Sequence, residues 1–251
     1  MTTTNRKIVI IGATSSIAEH CTREWVKAGN IDLVLVGRDL QRTERVAADL
    51  RVRSPSSHIQ AIQANFAEAS AIADVVRTIV AQGLPDVVLI AHGSLPDQDA
   101  CQQSLAQARD ALQINGVSPM LFAEAFALPM GQVGSGTIAI IGSVAGDRGR
   151  KSNYVYGAAK GLVSRYAQGL QHRFAGTGVS IVLIKPGPTD TPMTAELKGR
   201  GARLAPVEDV AGRIAKGIDR GDSTIYVPGK WRWIMLIIRH LPVFIFNKLN
   251  I

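Results

Sequence analysis

The chain has 251 residues, 46 % hydrophobic and 19 % charged, with a formal net charge of +8. That balance excludes a disordered chain and a many-span membrane protein, and it suffices for one α/β domain with a full core. Only Cys21 and Cys101 are present, without a CxxC pair or His cluster, so neither a disulfide framework nor a metal site is expected.

Short apolar, β-branched runs alternate with segments of helical length along the whole chain. A strand is expected over Lys7–Ile11 and a helix over Ser16–Ala28, then a strand over Leu33–Val36 and a helix over Leu40–Arg51. Next come a strand over Ile59–Ala64, a helix over Glu68–Gln82, a strand over Val87–Ala91 and one long helix over Leu105–Pro129. The pattern closes with strand Thr137–Ile141, helix Asn153–Ala175, strand Ser180–Ile184, helix Val207–Arg220 and strand Thr224–Val227. Runs such as IVII, LVLV, VVLI and IVLI suit strands covered on both faces. The expected fold is therefore a single-domain α/β, Rossmann-type doubly wound sheet of about seven parallel strands with helices on both faces. Ser94–Cys101 and Thr189–Ala205 read as loops bordering a site. No Gly/Ser/Pro linker divides the chain, so residues 1–230 are assigned to one nucleotide-binding catalytic domain and 231–251 to a C-terminal tail. Met1–Asn5 carries no apolar leader, which makes the cytoplasm the expected compartment.

The first strand runs into Gly12-Ala13-Thr14-Ser15-Ser16-Ile17-Ala18 and then into a helix. Small residues there let backbone N–H groups at a helix N-terminus approach a pyrophosphate, although a plain strand-to-helix turn would look the same. Gly12 is the candidate for the tight turn, and Thr14, Ser15, Ser16 and Ile17 for the phosphate cradle. At the end of the second strand Arg38 stands where an NAD-selective site places a carboxylate, so NADP(H) is favoured over NAD(H). Asp39 follows directly, and a solvated loop charge is the alternative for Arg38. Asn65 and Phe66 are expected to border an adenine, and Ala91, His92 and Gly93 to pass beneath a ribose. His92 is given no catalytic role.

The most specific signal is Ser143, then Tyr156, then Lys160, with Tyr156-Gly-Ala-Ala-Lys160 on an expected helix. Residues four apart share a helix face, so phenol and ammonium can point into one cleft. A nearby cation lowers a phenol's pKa, and Ser143 can polarise a carbonyl that receives hydride from a nicotinamide. Asn115, inside a helical stretch, can bend that helix and bind a water linking Lys160 to solvent. Tyr154 lacks a lysine four residues on and reads as a core aromatic.

With these residues in order, the chain resembles the short-chain dehydrogenase/reductase family over roughly its first 230 residues. The resemblance rests on the Gly12 turn, Asn115, Ser143, Tyr156 and Lys160, and on Lys185-Pro186-Gly187-Pro188-Thr189. It implies hydride transfer between NADP(H) and a ketone or secondary alcohol, with Pro186, Gly187 and Thr189 flanking the nicotinamide, and a homo-oligomer. Departures are Ser16 and Ala18 for two loop glycines, Asn65 for an Asp, and His92 for an Ala.

The tail has no acidic residue after Asp222. Arg232 and Arg239 share a helical face and leave a wide apolar arc of Trp231, Ile234, Ile237, Ile238 and Leu241 before Pro242 breaks the helix. The segment is too short to span a bilayer, so it is expected to lie peripherally on a membrane, pack on another subunit, or close over the active site. Its Arg-His-x-Pro-x-x-Ile-Phe-x-Lys-Leu ending is similar to that of the decaprenylphosphoryl-2-keto-erythropentose reductases. That resemblance implies reduction of a polyprenyl-phosphoryl 2-keto-pentose to an arabinose-configured lipid sugar, with a separate flavin-dependent oxidase as partner. A soluble 3-oxoacyl or small-ketone reductase and a non-catalytic NADP(H)-sensing protein are the alternatives. No nucleic-acid module is apparent despite the charge.

Overall fold

The inner strands of this chain are apolar on both faces because both faces are covered. In the computed structural model, which describes residues 5–199 and 201–249, all seven expected strands form. Residues 1–4, most of the segment read for a leader, and residues 250 and 251 of the tail lie outside the described residues. The strands are β1 (Arg6–Ile11), β2 (Ile31–Gly37), β3 (His58–Gln63), β4 (Val87–Ile90), β5 (Gly136–Ile141), β6 (Val179–Pro186) and β7 (Thr224–Val227). They pair in parallel in the order β3-β2-β1-β4-β5-β6-β7. The direction of winding reverses between β1 and β4, which run in register from Ile8 opposite Val87 to Ile11 opposite Ile90.

The pleat sorts each run into two cores. Ile8, Ile10, Leu33, Leu35 and Leu89 face α1 (Ser16–Ala28), α2 (Leu40–Arg53) and α9 (Val207–Arg220). Val9, Ile11, Val34, Val36, Val88 and Ile90 face α3 (Ala69–Ala81), α6 (Ser118–Val133) and α7 (Tyr154–Arg173). Phe122 and Phe126 of α6 are fully buried in the second core. Burying each such side chain is worth about 1.5–3 kcal/mol. Cys21 and Cys101 are both buried free thiols.

The long helix expected over Leu105–Pro129 is instead interrupted. It divides into α5 (Leu105–Leu112), a wide turn over Gln113–Val117 and α6, which runs on past Pro129 to Val133. Within the turn Asn115 Nδ2 donates to Ala111 O (3.0 Å), and Ser118 N reaches five residues back to Gln113 O. A side-chain amide competing for the i−4 carbonyl is one recognised cause of such a bulge. The two expected loops are also partly helical. Ser94–Cys101 leads into α4 (Gln98–Gln103), whose first turn is capped by Asp97 accepting from Ala100 N (2.7 Å). Thr189–Ala205 holds a single turn over Pro192–Thr194 and α8 (Ala195–Gly199).

The tail forms α10 (Lys230–His240) and α11 (Val243–Phe246), separated at Leu241 and Pro242. Met235 is fully buried, while Trp231, Ile234, Ile238 and Leu241 are half-buried against the domain. Ile237 departs from the expected arc: with Trp233 and Leu236 it faces outward. Arg148 pins the helix end, donating to Ile238 O (2.5 Å) and Leu241 O (2.6 Å) and stacking 3.8 Å over Phe246. A cation at these last carbonyls also complements the helix dipole. Among the described residues no helix is long and apolar enough to cross a membrane.

Candidate active site

The reversal between β1 and β4 opens a crevice at the carboxyl ends of the strands, where open α/β sheets bind ligands. Chain geometry dictates a glycine at its floor. Gly12 has φ +88°, and a Cβ there would lie 2.6 Å from both the backbone nitrogen and the Cβ of His92. Its N–H donates to Val36 O (2.8 Å), and Ala91 N donates to Ile11 O (2.8 Å), so three strand ends are locked together. Ser15 stands at the N-cap of α1 without a side-chain capping bond, leaving the first-turn N–H groups directed into the crevice. Ala18 is fully buried against the sheet, a role for which its small side chain suffices.

Gly12, Thr14, Ser15, Ser16 and Ile17 line one wall of an elongated groove, and Arg38 lies at its far end. Asp39 does not compete with Arg38 for a ligand in the way its sequence position allows. Its Oδ1 accepts from Arg42 N (3.0 Å) and caps α2, while Arg38 is exposed and Arg42 joins it on the groove wall. Phe66 and His92 are buried at the groove floor, edge to face at 4.7 Å. Phe66 also meets Phe122 at 5.1 Å, so it belongs to the core as much as to the groove. Burial, with Lys160 and Arg38 adding like-charge repulsion, pulls His92 down to about 3; its ring is therefore neutral, held by Ser118 Oγ at 2.9 Å. Asn65 is not brought into the groove: its Oδ1 accepts from Ala67 N (2.9 Å) in an exposed turn. These features fit a dinucleotide: a glycine cradle that a Cβ would fill, a helix N-terminus, and two guanidinium groups at one end.

The groove opens into a cleft of about 300 Å³ where Ser143, Tyr156, Lys160 and Asn115 converge. Ser143 follows β5, and its Oγ accepts from Ala145 N (3.1 Å), which fixes the rotamer. Close packing of small residues brings α7 against it: a Cβ on Gly146 would meet Lys160 C and O at 2.6 Å, and one on Gly157 would meet Ala145 O at 3.0 Å. Tyr156 lines the cleft, whereas Tyr154 is 45 % exposed and points elsewhere, so it is not the core aromatic expected of it. Lys160 Nζ lies 5.8 Å from the Tyr156 ring centroid and donates to Ile141 O (3.0 Å).

The electrostatics differ from the simple expectation of a lysine-depressed phenol. Burial pushes Tyr156 up, and the hydrogen bond from Ser143 offsets only part of that. Burial likewise pulls Lys160 down from 10.5 to about 8. The cleft wall disfavours both charges, so at neutral pH the phenol carries its proton and the ammonium persists with a narrow margin. Asn115 is fully buried, with Oδ1 accepting from Ser94 N (2.8 Å) and Nδ2 donating to Ala111 O (3.0 Å). Its amide thus ties the wide turn to the loop after β4. Gly93 is required beside it, since a Cβ there would come within 2.8 Å of Asn115 Oδ1.

Pro186, Gly187 and Thr189 line the same cleft, with Gly187 N donating to Val227 O (2.9 Å) and Thr189 Oγ1 to Gly187 O (2.9 Å). Trp231 closes over Gly187: a Cβ there would fall 2.0 Å from the indole Nε1. The tail therefore does cover one side of the cleft, one of the three placements open to it. Arg150 and Asn153 also line the cleft and were not singled out in the sequence, where they sit in a basic loop resembling any solvated one. A buried ion pair between Lys185 and Asp147, to which Tyr226 donates at 2.8 Å, braces the loop from behind. Nothing local in the sequence links those three residues.

A phenol, a hydroxyl and an ammonium around one apolar-walled cleft, beside a dinucleotide-shaped groove, are equipped to polarise and protonate a carbonyl oxygen. The sequence matches the short chain dehydrogenase family model over residues 6–200. It is 26 % identical over 244 residues to an uncharacterized oxidoreductase of Streptomyces coelicolor, covering 97 % of this chain and 96 % of the other. It is 28 % identical over 244 residues to an uncharacterized oxidoreductase of Mycobacterium tuberculosis, covering 96 % of both. A short-chain dehydrogenase from Sphingobium yanoikuyae, solved in complex with NADPH, shares the fold with a TM-score of 0.82 at 24 % identity, over 98 % of this chain and 96 % of that one. The chain belongs to the short-chain dehydrogenase family, oxidoreductases that use nicotinamide cofactors.

Proposed function

We propose that the protein is an NADPH-dependent ketoreductase acting on a polyprenyl-phosphoryl 2-keto-pentose. Arg38 and Arg42 flank the adenosine end of the groove while the Asp39 carboxylate caps α2, which favours a 2′-phosphate over a free ribose hydroxyl pair. A nicotinamide cofactor held in the groove would supply the hydride for the carbonyl carbon. Ser143 donates to the carbonyl oxygen, and Tyr156 delivers its proton to that oxygen as the carbonyl becomes an alcohol. Lys160 stabilises the phenolate left behind. A phenol kept protonated by burial is suited to this direction, because reduction needs a proton donor.

The observation that carries the lipid-linked substrate is the placement of α10. Trp231 on one side lines the cleft, and Trp233 and Ile237 on the other are 66 % and 64 % exposed, with Phe244 beyond them at 70 %. Lys230, Arg232, Arg239 and Lys248 surround this apolar surface with positive charge, a combination suited to an anionic membrane interface next to the substrate's entry. An oxidising enzyme, flavin-dependent in this reading, must supply the keto intermediate.

The test is NADPH consumption by the full chain with a polyprenyl-phosphoryl 2-keto-pentose in anionic vesicles, beside a panel of soluble ketones. Expected are turnover of the lipid-linked ketone, a loss of about 10²–10⁴-fold in Tyr156→Phe, and loss of NADPH preference over NADH in Arg38→Ala. Turnover of soluble ketones alone, unchanged when Trp233 and Phe244 are both replaced by Ser, would refute the lipid substrate and favour the small-ketone reductase.

A further inference from the structure

The loop between Ser143 and Tyr156 carries a guanidinium that has no hydrogen-bond acceptor among the described residues. Arg150 lines the cleft, is half-buried, and its Nε is sealed from solvent without an acceptor. Among the described residues it forms no ion pair and no side-chain hydrogen bond. Asp147 is near enough to favour the charge on Arg150, but both of its carboxylate oxygens are bound by other residues, one by Lys185 and the other by Tyr226. Three residues on, Asn153 presents a buried Oδ1 that also lacks a partner, although Asn153 stands at the N-cap of α7, where an amide oxygen ordinarily accepts from the first turn. A backbone bond from Asn153 N to Arg150 O (3.1 Å) folds the two residues into one turn on the cleft wall. Buried polar groups are nearly always satisfied, and an unpaired donor and an unpaired acceptor on two residues of one turn, both lining the cleft, suit a bound ligand that draws these side chains to it.

We infer that Arg150 and Asn153 form a substrate subsite that reads a hydroxylated organic phosphate: Arg150 pairs with the phosphate oxyanion, and Asn153 Oδ1 accepts from a neighbouring hydroxyl. The subsite rests on the ketoreductase reading and assigns recognition of the substrate's phosphate ester to these two residues. A phosphomonoester sugar and a prenyl phosphodiester both present phosphate oxyanions that a guanidinium can pair with. A guanidinium in this dry setting binds either through charge-assisted bonds that neither Ser143 nor Tyr156 can replace.

The subsite can be tested by calorimetric titration of the full chain with saturating NADP⁺, in which no reduction takes place. The probes are dihydroxyacetone phosphate, its unphosphorylated counterpart dihydroxyacetone, hydroxyacetone phosphate, which lacks the second hydroxyl, and farnesyl phosphate. Arg150→Met is expected to weaken dihydroxyacetone phosphate or farnesyl phosphate about tenfold to hundredfold, with Arg150→Lys recovering part of the loss. Which of the two ligands depends on Arg150 identifies the soluble or the lipid-linked source. Asn153→Ala is expected to remove the advantage of dihydroxyacetone phosphate over hydroxyacetone phosphate. Equal affinity of Arg150→Met and the unaltered chain for both phosphates would overturn the proposal. Because the readout is binding, a chain that binds these phosphates through Arg150 yet turns over no ketone would sink the reductase reading and leave the subsite standing.

Discussion

Lys160 offers a sharp test because the structure assigns it opposite effects on folding and on chemistry. Its ammonium is 3 % exposed and donates to a single carbonyl, Ile141 O at 3.0 Å. Burial lowers its pKa from 10.5 to about 8. Keeping it charged at neutral pH therefore costs the folded state roughly 3 kcal/mol. Methionine has a similar length and no charge, so Lys160→Met removes that penalty while giving up one charged hydrogen bond worth about 1.5–3 kcal/mol. The variant is expected to match or exceed the unaltered chain by up to about 1.5 kcal/mol at pH 7, although it loses the charge behind Tyr156. The sign then reverses with pH. Between about 8 and 10.5 the unfolded chain still holds the proton that the folded chain has released, so the lysine protein gains stability as pH rises through that window. The variant has no such titration and falls behind by pH 10. Urea unfolding at pH 7 and pH 10 measures both ends. A variant clearly less stable at pH 7, or a difference that does not change with pH, would refute the assignment of a desolvated, singly bonded ammonium.

Catalysis should follow the same titration with the opposite sense: kcat/KM for ketone reduction is expected to fall as pH rises through about 8, where Lys160 loses its charge, and a rate profile flat to pH 9.5 would contradict it. Gly12→Ala places a methyl 2.6 Å from the His92 backbone at φ +88°; the backbone term alone is about 1–2 kcal/mol, and fluorescence titration should show NADPH affinity reduced at least about tenfold as the α1 N-terminus is displaced. Phe126→Ala empties a fully buried site between α6 and the sheet and should cost about 3–5 kcal/mol in urea unfolding, with a value under 1 kcal/mol counting against that packing.

Much of the architecture is written in local periodicity. IVII, LVLV, VVLI and IVLI place β1, β2, β4 and β6 because the pleat must feed two cores at once, and a run with no polar face leaves no other solution. The α1 and α9 boundaries, Ser16–Ala28 and Val207–Arg220, coincide with the spacing because small and apolar residues recur on one face. Ser143, Tyr156 and Lys160 are legible for a related reason: a helix fixes the offset of the last two, and a strand end fixes the first. A bend at Asn115 is legible, but the wide turn that divides the helix over Gln113–Val117 is not, since it is held by Ser94 of a distant strand end donating to the Asn115 amide.

What the tertiary structure alone decides is which charges are left unpaired. In sequence Asp39 sits beside Arg38 and Asp147 stands three residues from Arg150, so each arginine has a neighbour of opposite charge. The fold gives Asp39 to the first turn of α2 and Asp147 to Lys185 and Tyr226, partners 38 and 79 residues away. Neither carboxylate then bonds to its neighbouring arginine, and Arg38 lines the groove and Arg150 the cleft. The direction of the Tyr156 shift is equally invisible in one dimension, because the sequence shows a lysine four residues on, while only packing shows how little water remains around either group. Periodicity determines elements because it is local; charge pairing and desolvation depend on which distant segments the fold brings together.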